Sequence, residues 1–134
     1  MRTRKALAIT VMSALALLGI ATVYVVAAPD PASGPDSPRF RASVVLLALS
    51  DNRTSVERFA SEHATLKGSA RVLSAPAPSS YVGKVLISAD GAMSVTDARG
   101  EFVVFLEPEL ANSSVQWRCS VVPEKFAPGP CRPK

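Results

Sequence analysis

The sequence predicts an α+β domain that follows an apolar segment and a proline-rich linker. Three observations carry this. Residues 6–28 hold no charge, residues 29–38 hold four prolines, and from residue 39 a helical apolar period gives way to short alternating runs between turn signals. The chain has 134 residues, 48% of them hydrophobic and 19% charged. That balance excludes an intrinsically disordered chain, and the length excludes a multidomain enzyme or a multi-span channel. The organisation expected is an N-terminal segment over 1–28, a linker over 29–38 and a globular domain over 39–134.

In residues 1–28, Arg2, Arg4 and Lys5 precede 23 uncharged residues. A signal peptide has a shorter apolar stretch of about 7 to 15 residues, whereas a spanning helix needs about 20. Val25 and Ala27 offer small residues before a cut at Ala28, but Pro29 would then flank the scissile bond. The reading favoured is an uncleaved apolar helix anchored in the inner membrane, with export to the periplasm after cleavage as the alternative. In both cases the positive-inside rule leaves residues 1–5 cytoplasmic and sends the rest across. Without those three cations the remainder carries 12 basic residues against 11 acidic, so the net charge of +4 is weak support for nucleic-acid binding.

The linker PDPASGPDSP cannot sustain a helix and reads as a stiff, solvated spacer. Ser37 is placed to cap a helix that starts at Pro38. Over 39–66, Val45, Leu49, Asn52, Val56, Phe59, His63 and Leu66 recur in steps of four and three, the stripe of one amphipathic helix. Lys67 and Gly68 supply a stop signal. Val44–Leu49 is apolar on more than one face, so it packs on two sides or meets another subunit or a membrane surface.

Beyond Gly68 the period becomes two. Strands are expected at Tyr81–Ser88, Met93–Asp97, Glu101–Leu106 (ending near Pro108) and Val115–Cys119. Asp90-Gly91, Ala98-Arg99-Gly100 and Asn112-Ser113-Ser114 form the turns. Short turns imply an antiparallel meander, half buried, with the helix stripe over its inner face. Val45, Leu49, Val56 and Phe59 are expected to pack on Val85, Ile87, Met93 and Val95.

Cys119 and Cys131 are the only cysteines, and both follow the apolar segment. In an oxidising compartment a disulfide between them is expected, closing a ring worth about 3 kcal/mol by loop-closure entropy. Their spacing is not that of a redox motif, and with a distant His63 they make no zinc site. His63 is read as a partly buried helix residue and Trp117 as a core residue beside Cys119. No phosphate loop, nucleophile elbow or zinc-protease motif is present, so no catalytic, cofactor or metal residues are assigned and the chain is read as a non-enzyme. Lys125, Arg132 and Lys134 form a basic C-terminal cluster, read either as a solvated tail or as a candidate interaction surface.

Leu106–Arg132 reads LEPELANSSVQWRCSVVPEKFAPGPCR. It resembles the C-terminal region of type IV pilins, which carry an L-x-P segment, a V-x-W-x-C strand and a K-x-x-P-x-x-C-R segment. The matching positions are Leu106 and Pro108; Val115, Trp117 and Cys119; and Lys125, Pro128, Cys131 and Arg132. Arg41–Phe59 is similar in texture to the family's long helix, and Tyr81-Val82, Val85, Ile87 and Gly91 to its first two strands. The resemblance covers roughly residues 39–134. It implies a pilin-like head, a helix on a four-stranded antiparallel sheet closed by a C-terminal disulfide loop. It also implies a role in filament assembly, adhesion or surface interaction, with other pilins or pilus assembly components as partners. Two features depart from the family. The prepilin peptidase site is missing, with Gly19 followed by Ile20 and Tyr24 standing where the family has glutamate. The linker also interrupts what is a continuous helix in pilins. The alternatives are a tethered or periplasmic binding or inhibitory module with a pilin-like head and, more weakly, a small periplasmic enzyme.

Overall fold

The computed structural model describes residues 34–133. The apolar segment 6–28 and Lys134 lie outside the described residues.

Helix α1 spans Pro38–Ala48, and its first turn is set as the sequence predicts. The Ser37 side chain accepts from Phe40 N at 3.2 Å, and Pro38 stands at the first helical position, where no donor is lost. Helix α2 spans Ser50–His63. The two replace the single helix expected. The break is one residue, Leu49, at φ −93° and ψ 0°, where its amide bonds back three residues to Leu46 O. Ser50, Asp51 and Asn52 follow at once, residues that favour a first turn over a helix interior. The end of α2 is also earlier than Lys67-Gly68. Ala64 takes left-handed geometry, and Gly68, at φ 88°, instead opens a short 3₁₀ turn, Ser69–Val72. Tertiary bonds draw the chain away there: Gly68 N and Ala70 N both donate to Ala89 O.

Four strands follow: β1 Val82–Ile87, β2 Met93–Asp97, β3 Val103–Ala111 and β4 Ser114–Val122. They form one antiparallel sheet in the order β1-β2-β3-β4, the predicted meander. Two strands are longer than expected. β3 runs through Pro108, which pairs with Trp117 on β4. The β2 partner of β3 ends at the Met93–Leu106 pair, so beyond it one side of β3 is free and a residue without an amide donor is tolerated. The β3–β4 hairpin turns through Asn112 and Ser113, both at positive φ, as a two-residue turn between twisted strands requires. β1 carries an irregularity between Val82 and Val85. Gly83 sits there, and a Cβ on it would lie 2.8 Å from Thr96 O and 3.0 Å from Asp97 O, so only glycine lets the strands approach.

The main core lies between α1 and the inner sheet face. Ala42, Val45 and Leu49 meet Val82, Met93, Val95, Val104, Leu106 and Val121, with Val85 and Ile87 packed at its margin. Val56 and Phe59 are buried but lie outside this cluster, which corrects the expected packing. Past the break at Leu49, α2 contacts Ser69–Val72 and β4, and Val56 approaches the β1–β2 turn at Gly91. His63 is exposed rather than partly buried. Its ring stacks on Phe59 with centroids 4.2 Å apart, and its Nδ1 donates to Phe59 O.

Asn52, the polar member of the stripe, is buried and brackets the loop after the 3₁₀ turn. Its Nδ2 donates to Ser74 O at 2.9 Å, and its Oδ1 accepts from Ser74 N. The second buried polar device is ionic. Arg41, 1% exposed, donates from Nη1 to both oxygens of Asp97, 2% exposed, at 2.9 and 3.2 Å. Its Nη2 donates to Glu101, and Phe102 lies under the guanidinium at 5.7 Å. Asp97 also accepts from Arg99 N and Glu101 N, so one carboxylate ties α1 to the β2–β3 turn and organises that turn. Arg99 in turn donates to Asp36 at 2.9 Å. That hydrogen bond, and then the Asp36 charge, hold the exposed Arg99 guanidinium above its ordinary pKa.

Candidate interaction site

The site is built where the C-terminal stretch returns to the helical layer. After β4 the chain makes two single 3₁₀ turns, Glu124–Phe126 and Gly129–Cys131. Pro123, Pro128 and Pro130 deny this stretch a longer regular element. The Cys119–Cys131 disulfide pins it back to β4 as expected, and Ala127 and Cys131 are buried in the main core. Phe126 meets Phe102 edge-on. The loop is therefore a fixed wall, not a frayed tail.

Between this wall and α1 lies an open cleft of about 350 Å³. Leu46 and Leu47 come from α1, Leu106 from β3, Trp117 and Cys119 from β4, and Pro128 and Pro130 from the loop. Trp117 and Cys119 are two residues apart on one strand, so both point to the cleft face. Trp117 is half-buried rather than core. Its Nε1 donates to Glu57 at 2.8 Å, and the Arg53 guanidinium lies 5.5 Å from the ring centre. Two charged residues of α2 thus hold the ring in one orientation where it lines the cleft.

Beside the cleft is a second, basic depression. Lys125 and Arg132, both predicted members of the interaction surface, line it together with Arg39, Glu124, Ala127 and Pro133. Lys134 lies outside the described residues. Arg39 is the member that sequence reasoning missed. It stands 86 positions before Lys125, yet its Nη2 donates to Lys125 O at 3.1 Å and so fixes the loop to the start of α1. No local pattern links the two residues. A signal did exist in composition: Arg39 and Arg41 are the only charged residues of α1, so that helix has no acidic side chain.

A further depression, beside Ser88 and Pro108, collects Asp90, Glu107 and Glu109, with Arg118 paired to Glu109 at 3.0 Å. Among the described residues, no group of three or more His, Cys, Asp or Glu side chains is placed to hold a metal ion, and no helix is long and apolar enough to cross a membrane. No protein-family model matches the chain, and no curated protein matches it.

Proposed function

We propose that the chain is a divergent pilin-like interaction protein, tethered to the inner membrane through residues 6–28, that acts as an accessory component of a type IV pilus or a related machine. Its work is protein contact at the membrane or cell surface rather than catalysis. One observation carries the reading: the residues behind the resemblance each have a distinct place in the fold. Val115, Trp117 and Cys119 stand on the last strand, and Lys125, Pro128, Cys131 and Arg132 on the loop that the disulfide returns to that strand. The resemblance implies one helix on a meander sheet closed by such a loop; the sheet and the loop support it, and two helices stand where it implies one.

The missing peptidase site and the prolines at 29, 31, 35 and 38 support an accessory rather than a repeating subunit. Each proline removes a donor and restricts the residue before it, which disfavours a continuous helix through this sequence. The same features support a second reading, a tethered or periplasmic binding module that keeps the head but not the filament. Mass spectrometry of the N-terminus and blotting of membrane, periplasmic and sheared-filament fractions test both. The expected result is a membrane-fraction chain that retains residues 1–28 and is at most a minor filament component. An abundant, regularly repeating filament subunit would refute it, and recovery without any pilus component would favour the binding module.

A further inference from the structure

The outward face of α1 is apolar where a solvated helix would be polar. Phe40, Val44 and Leu47 recur at helical spacing on it, with Phe40 41% and Leu47 72% exposed. The core face of the same helix is already filled by Ala42, Val45 and Leu49. Internal packing accounts for Val45, Leu46 and Leu49 of Val44–Leu49, but not for Leu47. Along one flank of this face run the apolar cleft, through Leu46, Pro128 and Pro130, and the basic depression, through Arg39, Lys125 and Arg132. Three cations stand there against one carboxylate, Glu124.

An apolar helix face rimmed by cations is the arrangement of an interfacial helix on an anionic bilayer. Two further observations select a lipid surface as the occupant. The first is reach. The uncharged segment ends at Ala28, while Asp36 and Ser37 are already fixed to the head through Arg99 and the helix cap. Gly34 is held as well, its O accepting from Ser37 N, so only residues 29–33 remain as leash, about 17 Å at full extension. Such a leash holds the head at high effective concentration beside any bilayer that contains residues 6–28. The second is charge complementarity. Arg39, Lys125 and Arg132 line the depression at the start of α1, while the carboxylates near that start, Asp36 and Glu101, are each paired with an arginine, Arg99 and Arg41. We propose that α1 docks the head onto the membrane's own anionic lipid surface, with Phe40, Val44 and Leu47 entering the headgroup boundary and Arg39, Lys125 and Arg132 meeting lipid phosphates. This rests on the tether reading above.

The test uses the full chain, with a protease site inserted between Pro31 and Ala32, reconstituted into vesicles of phosphatidylcholine alone or with phosphatidylglycerol. Before cleavage the chain should float with both. After cleavage the head should partition onto the anionic vesicles about tenfold or more better than onto the neutral ones, and salt should release it. Leu47→Asp should cut retention about tenfold, since an exposed side chain is lost from the contact without harm to the core, and Lys125→Gln should weaken it only on anionic lipid. Failure of the uncut chain to float overturns the tether and the docking with it. A tethered chain whose cut head leaves both vesicle types equally overturns the docking alone. A released head that dimerises, and loses the dimer in Leu47→Asp, overturns it in favour of a second copy as the occupant.

Discussion

Breaking the Arg41–Asp97 pair is the perturbation whose size the structure constrains best. Both side chains are almost wholly removed from water. Taking away one partner leaves the other charge buried, at a typical cost of about 3–5 kcal/mol. In Asp97→Asn the guanidinium keeps Glu101, whose side chain is 43% exposed and therefore a screened substitute. The new amide also keeps one acceptor oxygen for the turn amides of Arg99 and Glu101. The lower end, about 3 kcal/mol, is expected. In Arg41→Met the carboxylate keeps those two backbone donors, at 3.2 and 3.4 Å, and a loss of about 2–4 kcal/mol is expected. The double variant should cost less than the sum, with a coupling of about 1–3 kcal/mol, because neither change then strands a partner. Against a total stability of about 5–15 kcal/mol for a domain, each single loss is a large share. Urea unfolding of the full chain in mild detergent, followed by fluorescence of Trp117, the only tryptophan, reads all four proteins. Single losses below about 1 kcal/mol that simply add would refute the argument, and would mean that water or another group already compensates the charges.

Three further outcomes follow from packing and covalent structure. Phe59→Ala should destabilise by about 3–5 kcal/mol, because the ring is 6% exposed, and should free the His63 ring that stacks on it; an unchanged melt would place that ring at the surface. Gly91→Ala should cost at least about 1 kcal/mol, since φ is 81° and the new Cβ would lie 2.6 Å from Ser69 Oγ and 3.1 Å from Val56 Cγ2; a neutral or stabilising result in the same unfolding assay would contradict this geometry. Replacing Cys119 and Cys131 together by serine should lose about 3 kcal/mol, and thiol labelling of the unreduced, unfolded wild type should find no free cysteine; two labelled thiols per chain would exclude the bridge.

The features legible in the sequence are those that local chemistry decides. Ser37 and Pro38 announce the start of α1 because a cap and a fixed φ act over three residues. Asp90-Gly91 and Asn112-Ser113 mark hairpins because few residue types adopt positive φ. Alternation over Met93–Asp97 places its apolar side chains on the buried face because strand side chains point to opposite sides. The two cysteines pair because they are the only two in the chain, so each has one intramolecular partner.

Tertiary structure decided what depends on distant neighbours. The stripe from Val45 to Phe59 was legible, but not that it serves two places, because the break at Leu49 and the bonds from Gly68 and Ala70 to Ala89 carry α2 beyond the main core. The path of β3 through Pro108 depends on where β2 stops, which no local propensity encodes. Arg41 and Asp97 are 56 positions apart, and each alone reads as an ordinary surface charge; only the fold brings them together and removes the water. Arg39 reaches the basic loop in the same way, across 86 positions. Periodicity and turn chemistry are short-range and survive in a string of residues, whereas charge pairing, burial and the shape of a surface arise only once the chain has closed on itself.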